Sequence, residues 1–348
     1  MKNRDTPFFS VIVPSYNRRD EIQELLLSLE NQDLPKKQFE VVLVDDGSMD
    51  GTEAWVKEFR DRSSLQVTYV WKEHGGPGAS RNLGMENAKG DVFIFIDSDC
   101  TAPHDWLVGI KEVLDKNPSI QAFGGRDDAK LEFSPLLKAI NYTMTSFLST
   151  GGMRGGKKRR LAKFYPRSFN MGIRRDLYDK MGGFGNLRHG QDIEFSNRIL
   201  KSGANVAYIH DSVVFHKRRT SSIKFFKQVF NWGVARINLS RIDSAMLEPL
   251  HFAPAFGLWF TLIFTLFAFL FPPVFPFWLI FVILVGILLL GSGVHAALKW
   301  KSLSTGFIVP AVMGIQIVGY AWGFTSAFVW RVLLKKEEFA GFIKRYYG

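Results

Sequence analysis

Cysteine is almost missing from this chain. Cys100 stands alone among 348 residues, so no disulfide framework holds the fold. Charge is missing in places rather than overall. No Asp, Glu, Lys or Arg occurs in the 47 residues from Phe252 to Leu298, nor in the 29 from Ser302 to Trp330. Acids are outnumbered along the whole chain, 33 against 44 Lys and Arg, for a formal net charge of +11. With 47% apolar residues the chain is too hydrophobic to be disordered. The two uncharged runs exclude a wholly soluble protein. No internal repeat and no nucleic-acid motif is visible, and basic zones beside apolar runs account for the positive charge without nucleic acid.

A bilayer core of about 30 Å needs roughly 20 apolar residues per helical span. The longer uncharged run is about right for two spans, and Pro272-Pro273 near its middle separates them. We expect spans at 253–271, 274–294 and 306–330. The polar first residues carry no leader pattern, so the first 250 residues are expected in the cytoplasm. Three spans then put the C-terminal tail outside, although it carries Arg331, Lys335, Lys336, Lys344 and Arg345 against two acids. The positive-inside rule opposes that placement, and a re-entrant segment and an exception to the rule both stand.

In the polar two-thirds, FSVIVP, EVVLV, QVTYVW and VFIFI read as short strands at Phe9–Pro14, Glu40–Val44, Gln66–Trp71 and Val92–Ile96. A helical stretch at Glu21–Glu30 places Ile22, Leu25, Leu26 and Leu29 on one side. Near-continuous apolar strands alternating with helices imply an α/β fold with a parallel sheet covered on both faces. Ligands of such sheets sit beyond the carboxyl ends of the strands. The polar clusters of this sequence fall there: Pro14-Ser15-Tyr16-Asn17, Asp45-Asp46-Gly47-Ser48, His74-Gly75-Gly76-Pro77-Gly78 leading to Arg81, and Asp97-Ser98-Asp99.

Two carboxylates one residue apart at the end of a buried strand make a hard oxygen site suited to Mg²⁺ or Mn²⁺ bound with substrate phosphates. Alone, the triplet is equally a helix cap, through Asp99 or Thr101. Asp45-Asp46-Gly47-Ser48 can equally be a turn.

Together the segments SVIVPSYN, VVLVDDGSMDGT, GASRNLG and FIDSD resemble the family 2 inverting glycosyltransferases of the GT-A fold, over residues 8 to about 240. The later half and the spans look most like succinoglycan-type exopolysaccharide glycosyltransferases. The resemblance implies a cytoplasmic GT-A domain with a Rossmann-like, mostly parallel sheet at 1–220. A linker with an amphipathic interfacial helix follows at 221–248, then a transmembrane region at 249–331 and a basic tail at 332–348. It implies that Pro14 and Tyr16 line the base pocket, that Asp46 contacts the base with Asp45 beside it, and that Arg81 sits near the nucleotide. Asp97 then reaches the ribose or a metal-bound water, Ser98 lies between the two acids on the donor, and Asp99 holds the metal. Asp192 matches the family's general base, with Gln191 where the family usually has Glu.

The implied activity is a multi-pass inner-membrane glycosyltransferase moving a sugar from a nucleotide sugar, a UDP-sugar by expectation, to a lipid-linked glycan acceptor in surface polysaccharide synthesis, with Mg²⁺ or Mn²⁺ as cofactor. Alternatives are a polyprenyl-phosphate glycosyltransferase, a processive synthase, or an inactive sugar-nucleotide-binding adaptor. His216, in VVFHK, is a further candidate metal ligand. Gln228 and Trp232 have the spacing of a processive-synthase motif in which Asn231 replaces Arg. They are acceptor candidates with Arg218 and Arg219, which have the alternative reading of a basic membrane-facing zone. Residues 221–241 read as a helix lying in the bilayer interface.

Overall fold

In the computed structural model, which describes residues 9–130, 132–150, 164–217 and 221–342, the first apolar runs are strands β1 (Phe9–Ser15) and β2 (Phe39–Asp45), buried at all seven positions each. Burial on both faces is why these sequences show no alternation. Between them α1 (Arg19–Glu30) buries Ile22, Leu25, Leu26 and Leu29. There follow α2 (Thr52–Arg62), β3 (Val67–Trp71), α3 (Pro77–Asn87), β4 (Val92–Phe95), β5 (Cys100–Thr101), α4 (Trp106–Lys116) and β6 (Ala122–Asp128). Next come α5 (Pro135–Thr145), α6 (Phe147–Thr150), β7 (Met171–Arg174), α7 (Arg175–Met181), α8 (Gln191–Lys201) and β8 (Val206–His216).

The eight strands form one sheet in the order β3-β2-β1-β4-β7-β6-β8-β5. β1 pairs parallel with β2 and β4, β2 with β3, and β6 with β8, while β7 runs antiparallel between β4 and β6. Two antiparallel steps restore direction, so β1, β2, β3, β4, β6 and β8 point the same way and deliver their carboxyl ends to one edge. One face packs under α1, α2 and α4 through residues such as Leu25, Phe59 and Trp106. The other packs under α3, α7 and α8 through Met85, Leu177, Phe195 and Ile199. The expected strands are all present. No strand is expected from the sequence after residue 96, and β5, β6, β7 and β8 are additions.

The chain divides into two units. The sheet unit takes residues 9–128 and 164–217; the helical unit takes the described residues of 129–150 and 221–342. The helical unit contains α9 (Ser222–Ile242), α10 (Ala253–Leu270), α11 (Phe275–Trp300) and α12 (Leu303–Phe328). Three segments, Pro249–Leu270, Pro272–Trp300 and Leu303–Leu333, are long and apolar enough to cross a membrane. Pro272–Val274 forms the expected break as a single tight turn.

Two expectations need correction. Residues 129–150 were placed in the first domain but belong to the helical unit, because α5 buries Ala139, Ile140, Tyr142 and Met144 in a cluster with Val229, Val309 and Val312. The helix at 221–241 is present as α9, but only its first turns have the exposed basic face of an interfacial helix. From Val229 to Leu239 it is buried except at Trp232, which is partly covered. Glycines allow this: a methyl group at Gly233 would fall 2.2 Å from the Tyr320 carbonyl, and one at Gly323 2.0 Å from that of Phe230. Backbone-to-backbone approach of this kind is how helices pack where apolar surroundings give no hydrophobic drive.

Candidate active site

The carboxyl edge of the sheet collects most of the polar residues singled out above. At the β1 and β2 ends, Asn17 has φ +47°. Its backbone N–H donates to Ser48 Oγ at 2.8 Å, and its side chain accepts from the Met49 N–H at 2.9 Å. Asp50 accepts from the Arg19 N–H at 2.9 Å and from the Thr52 hydroxyl at 2.6 Å. Burial opposes ionisation of Asp50, but hydrogen bonds from the Thr52 hydroxyl and the backbone of Arg19 and Thr52 outweigh it and hold the carboxyl below its ordinary value.

Asp45 is buried. One oxygen accepts from the Ser48 N–H at 2.8 Å and the other from the Tyr69 hydroxyl at 2.7 Å. Burial, reinforced by Asp45, pushes the Tyr69 phenol far above its ordinary pKa. Asp46 is buried as well and anchors the glycine-rich turn: it accepts from Lys72 Nζ at 2.6 Å, the Gly75 N–H at 2.9 Å and the Gly76 N–H at 2.8 Å. A sealed carboxylate costs several kcal/mol in lost hydration, and three charge-assisted bonds of about 1.5–3 kcal/mol each offset it. His74 Nδ1 lies 2.9 Å from the Asp46 carbonyl and 3.0 Å from its carboxylate, so this nitrogen carries the proton. The ring then stacks on Tyr16, with centroids 4.0 Å apart.

Thus Tyr16 stands at the edge with His74 beside it, and Asp45 and Asp46 shape the loops around them. Pro14 is buried inside β1. Lys72 carried no signal in the sequence, and His74 only as the first residue of the Gly-rich turn.

Arg81, on α3, is 6% exposed and donates to Asp97 Oδ1 at 2.6 Å. Asp99 and His216 meet at 3.1 Å, with Arg18 Nη1 3.6 Å from the other Asp99 oxygen. The β5–β8 pairing, Cys100 opposite His216, sets this contact. Ligand atoms of Asp99, Cys100 and His216 lie within 4.8 Å of one another. Cys100 also belongs to the apolar core. A carboxylate with an imidazole suits a divalent cation of the Mn²⁺ type, so the residues fit the implied metal. Asp97 does not join this group: its carboxylate is turned to Arg81. His216 therefore stands with Asp99, and Asp97 with Arg81. Ser98 is partly exposed in the turn between the two acids.

Asp192 lies in the first turn of α8, after Gly190 at φ +74°. One oxygen accepts from the Ile193 N–H at 3.0 Å; the other lies 3.3 Å from Arg167 Nη1. Gln191 packs on the start of α3, where a methyl group at Gly78 would fall 2.7 Å from Gln191 Oε1. Contacts therefore run from α8 through α3 to the Arg81–Asp97 pair.

A buried polar knot sits behind the metal-type group. Asn170, fully buried, donates to the Arg126 carbonyl at 3.0 Å and the Ser212 carbonyl at 2.9 Å. It accepts from Trp106 Nε1 at 3.2 Å and Ser212 Oγ at 3.1 Å. The knot fixes the irregularity between Gly124 and Arg126, after which β6 and β8 run on to Asp127 and His216. None of these residues carried a motif signal.

Gln228 and Trp232 lie on α9 in the helical unit, where Trp232 packs against the cluster containing Ala296 and Val312. Arg218 and Arg219 lie outside the described residues.

Residues 10–182 match the family described as Glycosyl transferase family 2. Glycosyltransferase AglE of Haloferax volcanii is 29% identical over 256 residues, covering 73% of this chain and 80% of that protein. The poly(ribitol-phosphate) beta-N-acetylglucosaminyltransferase TarS of Staphylococcus aureus is 48% identical over 111 residues, 32% of this chain and 19% of that protein. A Methanococcus voltae protein is 24% identical over 243 residues, 66% of this chain and 73% of that protein. It is named dolichyl N-acetyl-alpha-D-glucosaminyl phosphate 3-beta-D-2,3-diacetamido-2,3-dideoxy-beta-D-glucuronosyltransferase. Among solved structures, a Pyrobaculum calidifontis mannosyltransferase, PcManGT, in complex with GDP-Man and Mn²⁺ superposes with TM-score 0.57 at 20% identity, over 91% of this chain and 88% of that one. TarS 1–349 with UDP gives 0.51 at 23% identity, over 92% and 90%. At such identities the likeness is one of fold.

Proposed function

The chain carries a glycosyl transferase family 2 domain, and from that premise we propose a membrane-anchored inverting glycosyltransferase that moves a sugar from a nucleotide diphosphate donor to a lipid-linked glycan. The observation that carries this is the shared carboxyl edge of the strands, which holds Tyr16 and His74, Arg81 with Asp97, and Asp99 with His216. The three long apolar helices support membrane anchoring. The dolichyl-linked acceptor in the name of the Methanococcus voltae relative supports a lipid-linked acceptor.

In this reading the Tyr16–His74 stack receives the nucleotide base and Arg81 approaches the donor from α3. Asp192 takes the proton of an acceptor hydroxyl as its oxygen attacks the anomeric carbon. The bond from that carbon to the diphosphate breaks on the opposite face, so the configuration inverts. The Arg167 guanidinium stands 3.3 Å from one oxygen of Asp192 and orients that carboxylate. Asp99 and His216 would hold Mg²⁺ or Mn²⁺, which when bound offsets the charge on the departing diphosphate.

A panel of UDP- and GDP-sugars with Mn²⁺, scored by nucleotide release in the presence of a polyprenyl-linked acceptor, tests the reaction. Asp192→Asn should lower kcat by about 10²–10⁴ with donor affinity within about twofold. Retained turnover removes the base role.

A further inference from the structure

His216 lies between two carboxylates. Its Nε2 is 3.1 Å from Asp99 Oδ1 and its Nδ1 is 3.4 Å from Asp127 Oδ2. The Asp127 side chain is fully buried. The β6–β8 register sets Asp127 opposite Val214, two residues before His216, and the irregularity at Gly124/Arg126 sets that register. Gly125 leaves no choice there: a methyl group would fall 2.2 Å from Asn170 Nδ2 and 2.3 Å from the Ser212 carbonyl.

A neutral imidazole has one N–H and one lone pair. Here an acidic oxygen faces each nitrogen, so the two neighbours compete for the proton. Nε2 is the nitrogen on the Asp99 side, where carboxylate and imidazole fit a divalent cation, so a bound cation would take the Nε2 lone pair. The N–H then falls on Nδ1, which faces Asp127 Oδ2. Resting on the metal reading of the site, we propose that Asp127 is a positioning residue. It accepts the Nδ1–H of His216, fixes the tautomer and ring orientation, and leaves the Nε2 lone pair directed with Asp99 at a divalent cation. A carboxylate behind a ligating histidine also makes it a better donor, and losing such a partner weakens metal affinity about 10- to 100-fold. Had Asp127 only filled space in β6, an apolar residue of similar size would leave the cation's affinity unchanged.

The test is calorimetric titration of Mn²⁺ into the full chain in detergent with UDP or GDP present, for wild type, His216→Ala, Asp127→Leu and Asp127→Asn. Metal-free thermal unfolding checks that each variant is folded. Asp127→Leu should bind Mn²⁺ at least about 10-fold more weakly. Asp127→Asn, whose amide oxygen still accepts from Nδ1–H, should fall between Asp127→Leu and wild type. If wild type takes up no Mn²⁺, or His216→Ala binds like wild type, the metal reading itself fails. If His216→Ala weakens binding while Asp127→Leu stays within twofold of wild type, the inference about Asp127 is overturned and the metal reading stands. Should Asp127→Leu not fold, Asp127→Asn decides: weaker Mn²⁺ binding supports the proposal and an unchanged constant overturns it.

Discussion

The two halves of the sheet are held together differently. Around β1, β2 and β3 the strands are parallel and mostly apolar, apart from the buried Ser10–Glu40 bond, and most polar groups gather at their carboxyl ends, where Asp45, Asp46 and Asp50 accept from backbone N–H groups. Around β6, β7 and β8 the polar bonds run through the interior, from Trp106 to Asn170 to Ser212. The first half keeps regular strands and shapes its loops by local hydrogen bonds. The second bends its strands, and bending backbone in a core requires partners for the groups it unpairs.

That difference is open to attack, most severely in the second half. Asn170→Ala removes an amide that holds two carbonyls and two donors, all buried. At about 1–3 kcal/mol for each group left unsatisfied, the loss should reach about 3–5 kcal/mol. It should appear as a large fall in the unfolding temperature, with weaker Mn²⁺ binding in any folded fraction. In the first half, Lys72→Met removes one partner of a sealed carboxylate. The two N–H bonds remain and Lys72 is a fifth exposed, so about 2 kcal/mol is expected rather than the 3–5 of a fully buried pair. The readout is nucleotide affinity by calorimetry, and an unchanged constant argues against a base-binding role for this loop.

Where the halves meet, Gly78→Ala should cost about 1 kcal/mol, because the obstacle is the mobile end of Gln191. Adding Gln191→Ala should recover most of it, and independent losses would deny the contact between α3 and α8. The smallest effect concerns pH. Asp50 titrates below its ordinary value when folded, so the stability it adds is present above the unfolded pKa and fades as pH falls through the folded one. The unfolding-temperature gap between wild type and Asp50→Asn should narrow as pH drops from 7 into the acid range; a constant gap contradicts the assignment.

The same contrast explains what could be read from the sequence. Buried parallel strands announce themselves, and FSVIVP and EVVLV gave their positions nearly to the residue. The polar clusters after them marked the carboxyl edge where Tyr16, Arg81, Asp97 and Asp99 stand. The long apolar helices were legible because charge vanishes from them. In contrast, Ala122–Asp128 contains two glycines, an arginine and two acids, and Met171–Arg174 is four residues long with a glycine. Neither has a period to detect, and with them went Asp127 and Asn170, whose importance lies in contacts across 42 residues or more. Spacing shows that Asp97 and Asp99 are neighbours but not that Arg81 contacts Asp97 while His216 meets Asp99. The helix α9 was misjudged because a mixed basic and aromatic composition does not reveal glycines on a facing helix.

The excursion of residues 129–150 into the helical unit bears on how this enzyme can be handled. Cutting the chain before α9 in order to obtain a water-soluble catalyst would strip the cover from Ala139, Ile140, Tyr142 and Met144, leaving an oily flank in the middle of the remaining polypeptide. Such a fragment should stick to itself or to detergent, so solubilising this protein calls for redesigning α5 as well as removing the long apolar helices.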